Sequence, residues 1–285
     1  MASVSASRKL RIAILGCGFM GKALLSGILK SIDGTTHELK FSISARSQAS
    51  RDNLQGMFKS KADTVDLITT DNTVAARDAD VVILAFQPQQ LEQVLNGTGL
   101  RDALSSKLIV SLLAGISSER LTQKVYSGQT QNSRVSRVLP SIGAQINESA
   151  TLVVDDAKLS ASDRELVMWL FQQVGQTQLV PEELIDTVTA VSAATHALVV
   201  VATDAIVDSS VASGVPRPVA LAVASQCLRS ASSLLQGHMT IESLKESMSI
   251  ARGITINALL RLEKGQVRSG VSDAVTHAVQ YARNM

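Results

Sequence analysis

The apolar residues of this chain change their period partway along it. Up to about residue 155 they come in short runs separated by amphipathic stretches, and from about Asp163 onward only a helical period is readable. Ile12-Ala13-Ile14-Leu15, Lys40-Phe41-Ser42-Ile43-Ser44, Leu67-Ile68, Ala79 to Phe86, Leu108 to Leu113, Arg134 to Pro140 and Ala150 to Val154 read as strands. Runs such as Val81-Val82-Ile83-Leu84 are apolar at successive positions, so both faces of the strand need cover, as in a parallel sheet flanked by helices. Strands alternating with helical segments predict an α/β fold with a Rossmann-type, doubly wound sheet over residues 1–160.

The second part reads as helices throughout. Arg164 to Val174 is one, ended by Gly175, and Pro181-Glu182-Glu183 opens a very long one whose apolar positions run to Val211, with Gly214-Val215-Pro216 as its stop. Arg217 to Leu235, Ile241 to Ser249, Ile254 to Lys264 and Val271 to Arg283 follow. Residues 161–285 are expected to form an all-helical domain that carries substrate residues and dimerises. The long helix is rich in Ala, Val, Ser and Thr and poor in charge, so a partner chain is expected to cover it and the protein to be a homo-oligomer. Its most apolar run, Ala197 to Ala202, is shorter than the ~20 residues of a bilayer span and is expected to be buried in protein.

Between the first strand and the first helix stands Gly16-Cys17-Gly18-Phe19-Met20-Gly21, with glycines in the G-x-G-x-x-G spacing of a dinucleotide site. Gly16 would turn the backbone off the strand, Gly18 would let a pyrophosphate approach without meeting a Cβ, and Gly21 would let the helix pack on the sheet. The backbone of Phe19 and Met20 belongs to the same helix start, where free N–H groups favour phosphate. After the second strand, where an NAD site places a carboxylate for the ribose hydroxyls, this chain has Ser44, Arg46, Ser47 and then Arg51. Hydroxyls and a cation suit the 2′-phosphate of NADPH; the alternative is that Arg46 and Arg51 are simply solvated. Ligands of such sheets sit beyond the carboxyl ends of the strands, which points to Gln87-Pro88, Ala114-Gly115 and Leu139-Pro140-Ser141.

Composition narrows the partners. Charged residues are 18% of the 285 and the formal net charge is +2, so neither nucleic acid nor a membrane is indicated. Two distant cysteines, Cys17 and Cys227, fit a reducing, cytoplasmic setting rather than a disulfide framework, and Cys17 reads as a small turn residue rather than a nucleophile. Met1 to Lys9 lacks the apolar core of a secretory signal and reads as a loose tail. His37, His238 and His277 have no metal-like spacing, and no metal site is expected.

Taken in order along nearly the whole chain, several segments resemble the pyrroline-5-carboxylate reductases, NAD(P)H-dependent enzymes that make proline. They are Gly16 to Gly21, Ala85 to Pro88, Ser111 to Ile116, Arg137 to Pro140, Asp186-Thr187-Val188-Thr189 leading to Ser192, and Thr255 to Leu259 with Leu262-Glu263. The resemblance implies a Rossmann domain, an interlocked helical domain through which each active site borrows residues from a neighbouring subunit, and hydride transfer from NADPH to the C=N carbon of a cyclic imine. Thr255 matches the last residue of the family's Ser-Pro-Gly-Gly-Thr-Thr loop, whose hydroxyl stands near the imine nitrogen, and the helix start there favours an anionic substrate group.

The substrate segments depart from the family. Ser192-Ala193-Ala194-Thr195-His196-Ala197-Leu198 stands for Ser-Gly-Ser-Gly-Pro-Ala-Tyr, Ala251-Arg252-Gly253 for Pro-Gly-Gly, and Leu139 to Gly143 for Met-Pro-Asn-x-Pro, and Gln87 replaces a common lysine. Ser192, Thr195, Arg252 and Gly253 are therefore candidate substrate residues. Arg252 either pairs with a carboxylate or fills the space of the family's substrate. His196 either protonates the substrate near neutral pH or is a buried histidine bonded to a neighbour. Three readings follow: an imine reductase forming proline, a reductase of the same fold with a changed C=N, C=C or C=O substrate, and a non-catalytic NADP-binding homologue.

Overall fold

The computed structural model describes residues 9–32, 38–126 and 133–284. The tail expected over Met1 to Lys9 lies outside them except for Lys9, and His37 also lies outside. The strands are β1 (Lys9–Leu15), β2 (Glu38–Ser44), β3 (Val65–Thr69), β4 (Val81–Leu84), β5 (Leu108–Ser111), β6 (Val135–Leu139), β7 (Ser149–Val154) and β8 (Gly175–Val180). The helices are α1 (Phe19–Ser31), α2 (Gln48–Met57), α3 (Asn72–Ala76), α4 (Leu91–Leu95), α5 (Leu100–Leu104), α6 (Ser118–Val125), α7 (Ala161–Gln172), α8 (Ile185–Ala212), α9 (Arg217–Gln236), α10 (Ile241–Ser247), α11 (Ile254–Lys264) and α12 (Val267–Arg283).

The described residues up to Thr189 form one compact unit and Ala190–Asn284 a second. The first is built on an eight-stranded sheet of order β3-β2-β1-β4-β5-β6-β7-β8. All neighbours are parallel except β6 and β7, which meet antiparallel through Val138↔Val153 and Leu139↔Leu152.

Successive residues of the central strands feed two cores. Ile12 and Ile14 of β1 join Val81 and Ile83 of β4 and Leu24, Leu25 and Ile28 of α1 on one face. Ala13 and Leu15 join Val82 and Leu84 and the α4–α6 residues Leu91, Leu100 and Leu121 on the other. This is the physical content of the unbroken apolar runs: each strand residue has a covered side, and each fully buried Leu or Ile contributes about 1.5–3 kcal/mol.

The second part corrects the expectation of helices alone from about Asp163. Gly175, read as a helix end, instead starts β8, whose six residues pair in parallel with Ser149–Val154. β8 is the sheet's last strand, and its polar Gln176, Thr177 and Gln178 carry no apolar run for the sequence pattern to show. Gly175 has φ +144°, and a Cβ there would lie 2.3 Å from the backbone of Ser149, so only glycine fits the crossing.

The second unit is helical, as expected, but thinly packed. α11 and α12 contain no buried residue and α9 buries only Ala220 and Ala224. The expected burial of Ala197 to Ala202 is absent within one chain: Val200 is 68% and Val201 69% exposed. The helical span Glu182–Ala212 is also long and apolar enough, by length and composition, to cross a membrane, which the short run alone did not suggest. Exposed apolar area of this extent marks a surface for another chain.

In the first unit, an ion pair at the amino end of the sheet generates a pH dependence. Arg134, just before β6, donates from Nε and Nη2 to the Asp163 carboxylate at 2.9 and 2.6 Å. The hydrogen bond from Arg134 holds this nearly buried carboxyl below its usual range, helped by Ser160. A depressed carboxylate pKa stabilises the fold above the ordinary value of about 3.9, and that contribution is lost as pH falls through the lower folded value. Asp163→Asn should therefore lower the thermal midpoint at neutral pH and flatten its decline below pH of about 4. Midpoints measured across this range test it; an unchanged acid limb would contradict it.

Candidate active site

The first group of candidate residues gathers at the carboxyl ends of β1, β2, β4 and β5. β1 ends at Leu15, and Gly16 follows with φ +78°, where an added Cβ would lie 2.6 Å from Cβ of Phe86. Any side chain at Gly16 is thus blocked by both backbone conformation and space. The turn is pinned to β2 beside it: Cys17 N–H donates to the Ser44 carbonyl at 2.7 Å and Gly16 N–H to Ser44 Oγ at 3.1 Å. Gly21 faces the sheet, where a Cβ would meet Ile14 at 3.3 Å and Ala85 at 3.4 Å.

Gly18 has the opposite environment. It is exposed, and a Cβ there would meet only the Gly16 carbonyl, at 3.8 Å. Gly18 is the N-cap of α1, and no side chain caps this helix. The α1 start therefore presents backbone N–H groups of the Phe19, Met20 and Gly21 turn with space above them, a fit for pyrophosphate. Cys17 is 4% exposed, and burial pushes its thiol up to about 12 against the opposing Lys22 charge, so it stays protonated at neutral pH.

A cavity of about 510 Å³ opens here, lined by Gly16, Arg46, Asn72, Thr73 and Phe86 among others. Arg46 is exposed and is the cation of this cavity's lining. Ser44 is buried, and its hydroxyl is engaged twice, accepting from Gly16 and donating to Asn72 Oδ1 at 2.6 Å. Ser47 caps α2, accepting from Ser50 N–H at 3.2 Å, and Arg51 Nε donates to the Ile68 carbonyl at 3.0 Å. Gln87 and Pro88 begin the short turn after β4, with Gln87 N–H bonded to Gln90 Oε1 at 3.2 Å. Ala114 and Gly115, half-buried, follow β5. A larger cavity, about 750 Å³, is lined by Glu119, Asp155, Asp156, Glu182 and Glu183, carboxylates that would repel a pyrophosphate.

The second group lies on two separate segments of the helical unit. Ser192, Thr195 and His196 are on α8; Thr195 Oγ1 donates to the Val191 carbonyl at 2.8 Å, and His196 Nδ1 lies 2.8 Å from the Ser192 carbonyl. His196 is exposed within the single chain, on the α8 surface that a partner chain is expected to cover, and its bond to a neighbour is present. Arg252, Gly253 and Thr255 lead into α11, which packs chiefly on α12. Gly253 is the N-cap of α11 without a side-chain bond, and half-buried Thr255 sits in the first turn. Arg252 has φ +59°, a left-handed conformation at the position where the Pro-Gly-Gly pattern carries glycine.

Sequence reasoning passed over two groups. Asn72, at the start of α3, lines the cavity and receives the Ser44 hydroxyl, and its only signal was its place just after a strand. Arg137, Glu182 and Asp186 form an ion cluster near Gly115, and no local pattern joins residues so far apart.

A glycine turn at the sheet's switch point, followed by helices that need a second chain for their core, defines a dinucleotide-dependent oxidoreductase with a dimerising helical unit. Over 97% of its length the chain is 32% identical to the pyrroline-5-carboxylate reductase of Lophium arboricola, of which it covers 93%. The chain belongs to the pyrroline-5-carboxylate reductase family, NAD(P)H-dependent oxidoreductases acting on a C=N bond. Residues 182–285 match the family model of pyrroline-5-carboxylate reductase dimerisation, and residues 11–115 that of NADP oxidoreductase, coenzyme F420-dependent. The Schizosaccharomyces pombe pyrroline-5-carboxylate reductase is 29% identical, with 95% of this chain and 98% of that protein covered. The crystal structure of a Coxiella burnetii pyrroline-5-carboxylate reductase is similar with a TM-score of 0.80, at 25% identity, over 96% of this chain and 98% of that one.

The open space at Gly18 separates binding from folding. Gly18→Ala should leave the urea midpoint nearly unchanged yet weaken NADPH about tenfold, or 1.4 kcal/mol, by fluorescence titration. Unchanged affinity would remove the pyrophosphate from this turn.

Proposed function

We propose that the protein is an NADPH-dependent reductase that transfers hydride to the C=N carbon of 1-pyrroline-5-carboxylate, forming proline, as a homo-oligomer in the cytoplasm. The observation that carries this reading is the uncapped α1 start beneath open space at Gly18, in a chain related to pyrroline-5-carboxylate reductases along nearly its whole length. Gly16, Gly18, Phe19, Met20 and Gly21 would receive the pyrophosphate, and Arg46 with the Ser47 start of α2 the 2′-phosphate. Ser44 supports them from below by shaping the turn. Gln87, Pro88, Ala114 and Gly115 would border the nicotinamide end.

The bound reduced dinucleotide supplies the hydride. The chain's task is to hold the imine, favour its protonated form and fix its carboxylate. Thr255 Oγ1 in the first turn of α11 is the proposed hydrogen-bond donor near the imine nitrogen, and His196 a second candidate for the proton. The uncapped amides that begin α11, with Gly253 and Ser192, suit the substrate carboxylate. The exposed apolar surface of α8 and the coreless α11 and α12 support an interlocked dimer or higher oligomer, each chain completing its mate's site.

The second reading, a changed imine, enamine or carbonyl substrate, is favoured by Arg252. A non-glycine residue held in the left-handed region costs about 1 kcal/mol, and its cation sits beside Gly253 at the proposed substrate loop. Purified protein should oxidise NADPH in preference to NADH with 1-pyrroline-5-carboxylate, and turn over the same ring without its carboxylate far more slowly. No turnover of either, with NADPH bound, would overturn the proline reading. Arg252→Gly should raise the KM for the acidic substrate about tenfold if the guanidinium reads the carboxylate, whereas improved kcat/KM would show that Arg252 obstructs it.

A further inference from the structure

The reading above leaves unused an ion cluster centred on Arg137 in the middle of β6, beside the carboxyl end of β5. Arg137 is 2% exposed and pairs across the sheet with Ser111, the last residue of β5. Its guanidinium forks: Nη1 donates to Glu182 Oε1 at 2.9 Å and Nη2 to Asp186 Oδ1 at 2.5 Å. Each carboxylate is shared with a different element. Glu182 also accepts from Ser118 N–H at 3.3 Å and Oγ at 2.7 Å, at the first residue of α6. Asp186 Oδ1 accepts from Gly115 N–H at 3.4 Å, a long bond strengthened by the carboxylate charge. Gly115 has φ +72° in the loop that leaves β5.

Stability is a poor reason for this arrangement. Arg137 is buried while Glu182 and Asp186 stay about one-third exposed, so the cation gives back in desolvation much of what it gains from carboxylates that water still screens. Arg137 Nε also has no partner among the described residues, a further cost to the fold. What the cluster does supply is geometry: one rigid fork fixes two carboxylates, and one of them reaches the backbone of the loop at the proposed nicotinamide end.

We propose that Arg137 and Asp186 are positioning residues for hydride transfer, with Asp186, held by Arg137, fixing the Ala114–Gly115 loop against which the nicotinamide is bound. This rests on the reductase reading above. Arg137 acts only through Asp186, and Asp186 only through the Gly115 amide; neither is assigned contact with substrate. The Glu182 arm leads instead to α6 and provides an internal comparison, because it shares the same guanidinium without touching the loop.

Full-length Asp186→Asn and Glu182→Gln proteins test this, through steady-state kinetics and amide hydrogen exchange of residues 112–117. Asp186→Asn should lower kcat about tenfold or more, with NADPH affinity changed less than about threefold, and should speed exchange of that segment about tenfold. Glu182→Gln should leave kcat and that exchange near the original values. Equal kcat losses in both variants, or unchanged exchange in Asp186→Asn, would overturn the proposal. If Asp186→Asn does not fold, Asp186→Glu, which keeps the charge and displaces the carboxylate by one methylene, is read by the same two criteria. The exchange measurement needs no turnover, so a chain inert toward the imine sinks the substrate reading while exchange still decides the role of Asp186.

Discussion

The structure depends on a close backbone approach at the end of β1. β1 lies between β2 and β4, where the strand order of the sheet reverses, so its carboxyl end opens into a crevice that neither neighbouring crossover fills. Gly16 makes that end usable by turning away with φ +78° against Phe86, while Ser44 Oγ accepts a hydrogen bond from its N–H and donates one to Asn72 Oδ1. A hydroxyl and an amide thus hold a turn whose own residues have almost no side chain. The uncapped start of α1 is aimed at the crevice as a consequence.

The helical unit poses a different physical problem. Its helices carry Val199, Val200, Val201, Leu221, Val223 and Ile254 at the surface of the single chain, and three of its five helices, α10, α11 and α12, bury nothing. Helices of this composition fold against apolar partners rather than by propensity alone, and the match to a dimerisation model over 182–285 supplies the partner as a second chain. The same surface explains why the span Glu182–Ala212 is as apolar as a bilayer helix: contact with protein demands the same side chains as contact with lipid.

Much of this was legible beforehand, and the misses have causes. Seven strands are visible because their apolar residues come in continuous runs or in a period of two, whereas β8, an edge strand with polar Gln176, Thr177 and Gln178, carries neither signal. The glycine spacing announced the turn because Gly16 and Gly21 are demanded by close local contacts, while Gly18 keeps the space above the helix start open. Its place after β2 makes Ser44 a candidate cofactor residue, whereas in the structure its hydroxyl is engaged by Gly16 and Asn72; a one-residue pattern does not reveal which way a strand end points its side chain. Arg51 was read in the same set and is tied to the Ile68 carbonyl instead.

What the sequence determined by itself is whatever depends on neighbours along the chain: strand and helix type, the glycine turn, and the amphipathic or uniformly apolar character of each helix. Periodicity and backbone freedom are local properties, so they are written locally. The tertiary structure alone decided what depends on residues far apart in the chain. It placed Arg137 between Glu182 and Asp186, set the Gly115 amide on Asp186, and set Asn72 under Ser44. Those contacts arise where strands and loops distant in sequence end at one edge of the sheet, and a distance in space has no period to read.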